Sequence, residues 1–149
     1  MKFQNLAKGV SVKPSAIKSL KHTDAIIFDC DGVLVDVSKS YDLAIKQTTS
    51  YVLKKFLNIK SIEISPQIIS NFKATGGFND EVDVTYASIL SLVAAKRLGV
   101  NPKKFIAKVI DNADSTGIVS VEKFLDTTTV DISDIRKKLK YPEIGRAHV

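Results

Sequence analysis

Asp29 and Asp31 stand one residue apart in AIIFDCDGVLVDV, residues 25–37. On a strand successive side chains alternate faces, so the two carboxylates point one way and Cys30 points the other. Two like charges at one spot repel unless a cation, a shared proton or hydrogen-bond donors offset them. The stretch therefore asks for a metal or for proton chemistry. The plain alternative is a surface loop in which Asp31-Gly32 is an ordinary turn pair. Cys30, on the opposite face, is expected to pack rather than to react, and Asp36 is expected to cap the helix that follows.

The elements that must hold these residues are unequal. Ala25-Ile26-Ile27-Phe28 reads as a buried strand leading into Asp29, and nearly everything after it reads as helix. Residues 40–57 carry Leu43, Ala44, Tyr51, Val52 and Phe56 close to a 3.6-residue repeat. Ser65-Pro66 and Asn101-Pro102 are cap-plus-proline starts, opening helices over 67–73 and 103–111. Gly76-Gly77 ends the first of these. Between them Asp83 can cap a helix over 84–98, with Ile89, Leu90, Val93 and Ala94 as its apolar stripe and Gly99 as its stop. Shorter helices are expected over 121–125 and 133–139. Residues 1–23 read as a polar extension with a short helix. A lone strand has no ladder partner, so the chain read this way lacks part of a sheet.

Composition limits the rest. A chain of 149 residues with 44% hydrophobic content has the length and core material of one domain. No apolar run reaches the roughly 18 residues of a membrane span, and the first 20 residues lack a signal-peptide core. A single cysteine permits neither an internal disulfide nor a zinc cluster and fits a reducing, cytoplasmic setting. The net charge of +6 is spread over pairs such as Lys54-Lys55, Lys103-Lys104 and Lys137-Lys138, a pattern of solvated helix faces rather than a nucleic-acid surface. Neither a nucleic-acid partner nor a membrane partner is expected.

The run IIFDCDGVLVD, residues 26–36, resembles the first signature of the haloacid dehalogenase (HAD) superfamily of phosphohydrolases. The helical stretch after it resembles the cap that one large subfamily inserts after this signature. Within it KATGGFNDEVDVTYA, residues 73–87, resembles a cap segment of phosphoglycolate-phosphatase-like members. The resemblance implies an α/β fold, a Rossmann-like core with an inserted helical cap, of which this chain holds only the first core strand. Its organisation would be an extension over 1–23, the strand and catalytic loop over 24–37, and the cap over 38–142.

By the same resemblance Asp29 is the nucleophile that forms an aspartyl-phosphate, and Asp31 is the general acid and base. The Asp29 carboxylate and the Asp31 backbone carbonyl would hold Mg²⁺, a hard ion that prefers oxygen. Gly32 would let the backbone turn at the substrate, and Lys73, Gly76, Gly77 and Asn79 could form a cap loop over it, Lys73 facing a substrate anion. The substrate expected is a small phosphorylated metabolite, since a closing cap excludes large molecules and water. For Gly76-Gly77 a simple helix stop is the alternative.

The family also uses a Ser or Thr after a second strand, a Lys that neutralises the phosphoryl group, and a later acidic pair. None stands out here, although Gly117-Ile118-Val119-Ser120 faintly resembles the second motif. The last seven residues, EIGRAHV, resemble translated read-through of a sequencing-library adaptor. Residues 143–149 are thus expected to be foreign, with no role for Arg146 or His148, and the chain to be an N-terminal fragment, inactive alone. A phosphosugar mutase or a dehalogenase on the same fold is the enzymatic alternative, the latter disfavoured because a departing halide needs no proton from Asp31. A non-enzymatic helical binding module is the third reading.

Overall fold

A computed structural model of the chain describes residues 3–59 and 63–139. Expectations for residues 140–142, the adaptor-like end, Arg146 and His148 lie outside these residues, and the Phe56 side chain lies outside the described ones. The chain divides into two units, residues 1–37 and 38–149. Among the described residues the fold is mixed α/β but mostly helical, with one two-stranded sheet.

The first unit opens with an antiparallel hairpin, β1 (Gln4–Ala7) and β2 (Val10–Val12), pairing Gln4 with Val12 and Asn5 with Ser11. Gly9 takes φ +78° in the connecting turn, a conformation that costs glycine nothing. The polar, lysine-dotted composition concealed this hairpin, which lies almost wholly exposed. A 3-10 turn at Pro14–Ala16 and a single turn of helix, α1 (Ile17–Leu20), then supply the short helix expected there.

The strand expected at residues 25–28 does not form. That segment joins no β-ladder, and Ile26, Ile27 and Phe28 are 71%, 96% and 61% exposed. The physical reason is the one the sequence raised: a strand exists through inter-strand hydrogen bonds, and no neighbouring strand stands beside this one among the described residues. With no sheet there is no second face, so Cys30 is exposed instead of packed.

The second unit is helical: α2 (Ser38–Leu57), α3 (Pro66–Ala74), α4 (Glu81–Leu98), α5 (Pro102–Asp111), α6 (Ile118–Asp126) and α7 (Ser133–Leu139). Its starts follow local chemistry. Ser65 Oγ accepts the Ile68 N–H at 3.4 Å and Asn101 Oδ1 accepts the Lys104 N–H at 3.1 Å, each followed by proline in the first turn. Gly99 closes α4 in the left-handed region at φ +67°. The cap of α4, however, is Asp80 and not Asp83: Asp80 Oδ1 accepts the Val82 N–H at 2.7 Å, starting the helix one turn earlier. Asp83 instead lies inside the first turn, where its charge complements the helix dipole.

Helix α4 is the hub, packed against α2, α3, α5, α6 and α7. Every side chain from Tyr86 to Ala95 is buried, so the expected stripe is a helix enclosed on all sides. Ala87, Ala94, Ala95, Ser88 and Ser91 keep its girth small enough for neighbours to close around it, and Ser91 returns its hydroxyl to the Ala87 carbonyl at 2.7 Å. On α2 the face against the core runs through Ile45, Thr49 and Leu53. Leu43 and Tyr51, expected on that face, are 52% and 56% exposed, because the i, i+4 ladder starting at Ile45 takes the contact. Among the described residues no helix is long and apolar enough to cross a membrane.

Candidate functional site

In the first unit a tight loop holds the paired acids. The Leu34 and Val35 N–H groups both donate to the Cys30 carbonyl at 2.9 Å, and the Gly32 N–H donates to the Val35 carbonyl at 2.8 Å. This closes residues 30–35 on themselves with Gly32 at φ +77°, where a side chain would be strained. Asp29 Oδ1 accepts the Cys30 N–H at 2.7 Å, fixing the carboxylate against its own backbone. Asp29, Cys30, Asp31 and Gly32 are all exposed, and Asp36 lies exposed just ahead of α2. The loop geometry is therefore built locally, without the strand that was expected to deliver it.

The donor types here fit a hard cation: a carboxylate at Asp29 and a peptide carbonyl at Asp31. Two protein oxygens cover only part of an octahedral shell. Among the described residues no group of three or more His, Cys, Asp or Glu side chains is gathered for a metal.

The cap-like segment in the second unit is firmly held. Lys73 Nζ lies 3.1 Å from Glu81 Oε1, so its ammonium is engaged across the turn between α3 and α4. Gly76 adopts φ +83° and ends α3, its N–H donating to the Lys73 carbonyl at 3.1 Å. Asn79 is exposed, whereas Phe78 is fully buried with its ring 4.9 Å from that of Phe72. Gly77 does more than stop a helix. A Cβ there would overlap the Asp114 carbonyl and the Gly117 amide, and a Cβ on Gly117 would overlap the Gly77 carbonyl.

Ser120, in the faint second motif, is a structural residue. It is 5% exposed, its Oγ donates to the Gly117 carbonyl at 2.6 Å, and it accepts the Asp114 N–H at 3.2 Å. The motif begins helix α6 and follows no strand, so no hydroxyl is presented as the family's second motif would present it.

Sequence reading missed a pocket of about 330 Å³ beside the two glycines, bordered by Asp83, Tyr86, Thr116, Val119 and Glu122. The Tyr86 hydroxyl donates to Glu122 Oε1 at 3.4 Å, and Arg136 Nε lies 3.6 Å from the same oxygen. Burial, with the Glu122 charge adding to it, pushes the Tyr86 phenol up to about 12. Asp114 Oδ1 accepts both the backbone N–H and the hydroxyl of Thr116, which lowers its pKa. These residues come from separate helices and loops, and no spacing in the sequence joins them.

No family model, no curated protein and no solved structure matches the chain.

Proposed function

We propose that the chain is the N-terminal part of a Mg²⁺-dependent phosphohydrolase of the HAD type, acting on a small phosphorylated metabolite through an aspartyl-phosphate. The observation that carries this reading is the loop at residues 29–35. It exposes two acids one residue apart on a hydrogen-bonded turn whose Gly32 needs a positive φ. A helical unit begins directly after it at Ser38, as an inserted cap would.

The chemistry follows from the residues. An Asp29 carboxylate oxygen attacks phosphorus while the bond to the ester oxygen breaks, and Asp31 gives that oxygen its proton. Water then loses a proton to Asp31, attacks the same phosphorus and releases inorganic phosphate, restoring the Asp29 carboxylate. The Asp29 carboxylate and the Asp31 carbonyl would hold Mg²⁺, which would supply charge neutralisation at the phosphoryl oxygens. The Ser or Thr, the Lys and the further acids such a site uses would lie in core sequence beyond the helical unit.

The test is a phosphate-ester panel with Mg²⁺, run on the full product of the gene that carries this chain beside its Asp29→Asn variant. Turnover that disappears in the variant supports the proposal. Turnover that survives Asp29→Asn removes Asp29 as nucleophile.

A binding module is the second reading, favoured by an apolar groove of about 350 Å³ in the helical unit. Ile45, Val52, Val82, Ile89 and Leu139 line it. On that reading the chain needs no metal and is indifferent to Asp29→Asn.

A further inference from the structure

We draw no further inference here: the strongest candidate, the pocket where the first turns of α3 and α5 converge beside Lys46 and Lys103, rests on helix N-termini with no second feature among the described residues that points to a ligand.

Discussion

Gly77 and Gly117 meet backbone to backbone, so closely that neither position has room for a methyl group. The contact pins the turn between α3 and α4 to the loop that opens α6. Gly76, its neighbour in sequence, has open space around its Cα and needs glycine only for its φ of +83°. Gly77→Ala should therefore lower stability by roughly 1–3 kcal/mol through overpacking against rigid backbone. Gly76→Ala should cost about 1–2 kcal/mol, the left-handed penalty alone. Urea denaturation of both variants checks the ranking. An equal or smaller loss for Gly77→Ala would show that the close approach is relaxed in solution.

Phe78 follows directly and anchors the same turn, fully buried against Phe72. Phe78→Ala should destabilise the helical unit by about 3–5 kcal/mol, the usual loss for a buried aromatic ring. Thermal unfolding followed by far-UV circular dichroism reads this directly. A loss below about 1 kcal/mol, within the range of surface substitutions, would mean that the ring is not in the core.

Arg97 grips Asp134 with its two terminal guanidinium nitrogens, at 2.7 and 2.8 Å, and donates to the Asp131 carbonyl, tying α4 to the start of α7. The Arg97 hydrogen bonds hold the Asp134 carboxyl at about 2, below its ordinary 3.8. A depressed folded pKa means stability that is present above the unfolded value and lost as pH falls through the folded one. The helical unit should thus lose stability between about pH 4 and pH 2, and Asp134→Asn should flatten that part of the profile. Asp114 and Asp131, also lowered, act in the same direction. Melting temperatures from pH 5 to pH 2 test it. An unchanged slope in Asp134→Asn would assign the acid sensitivity elsewhere.

Asp31 has a prediction separate from that of Asp29. If it protonates the departing oxygen, Asp31→Asn in the full gene product should slow alkyl phosphate hydrolysis by about 10²–10⁴-fold. In the first half-reaction a nitrophenyl phosphate, whose leaving group needs little help, should suffer much less. Single-turnover release of the alcohol, which precedes the water attack that Asp31 also serves, separates the two ester classes, and an equal loss on both in that step would argue against a proton-donor role.

The segment around the acidic loop presents Ile26, Ile27, Phe28, Val33, Leu34 and Val35 largely to water. Exposed apolar stretches of high β-propensity invite pairing between chains. The chain should self-associate as concentration rises, and Ile27→Lys should reduce this while leaving the helical unit's unfolding transition in place. Sedimentation velocity over a concentration series measures it. A monodisperse monomer at high concentration would contradict the expectation.

Legibility divided along the range of the interactions. Ser65-Pro66, Asn101-Pro102 and Gly99 were readable because a cap bonds to residues two to four positions away. Asp83 misled because Asp80, a turn earlier, offers the same chemistry, and the chain caps where the preceding Phe78 is buried. Lys73 was readable as a cation near the turn but not as the partner of Glu81, since many anions stand within reach of a flexible side chain in sequence alone.

The amino-acid sequence by itself determined most of the helices, the caps at Ser65, Asn101 and Gly99, the absence of a long apolar span and the pairing of Asp29 with Asp31 ahead of a glycine. These depend on neighbours along the chain. Tertiary structure alone decided that α4 is enclosed on every side, that Gly77 closes on Gly117, and that Tyr86 finds Glu122 across 36 positions. It also decided that residues 25–28, apolar enough for a buried strand, lie in water. A helix satisfies its backbone within itself, whereas a strand is completed only by another strand, and that requirement cannot be met by local sequence.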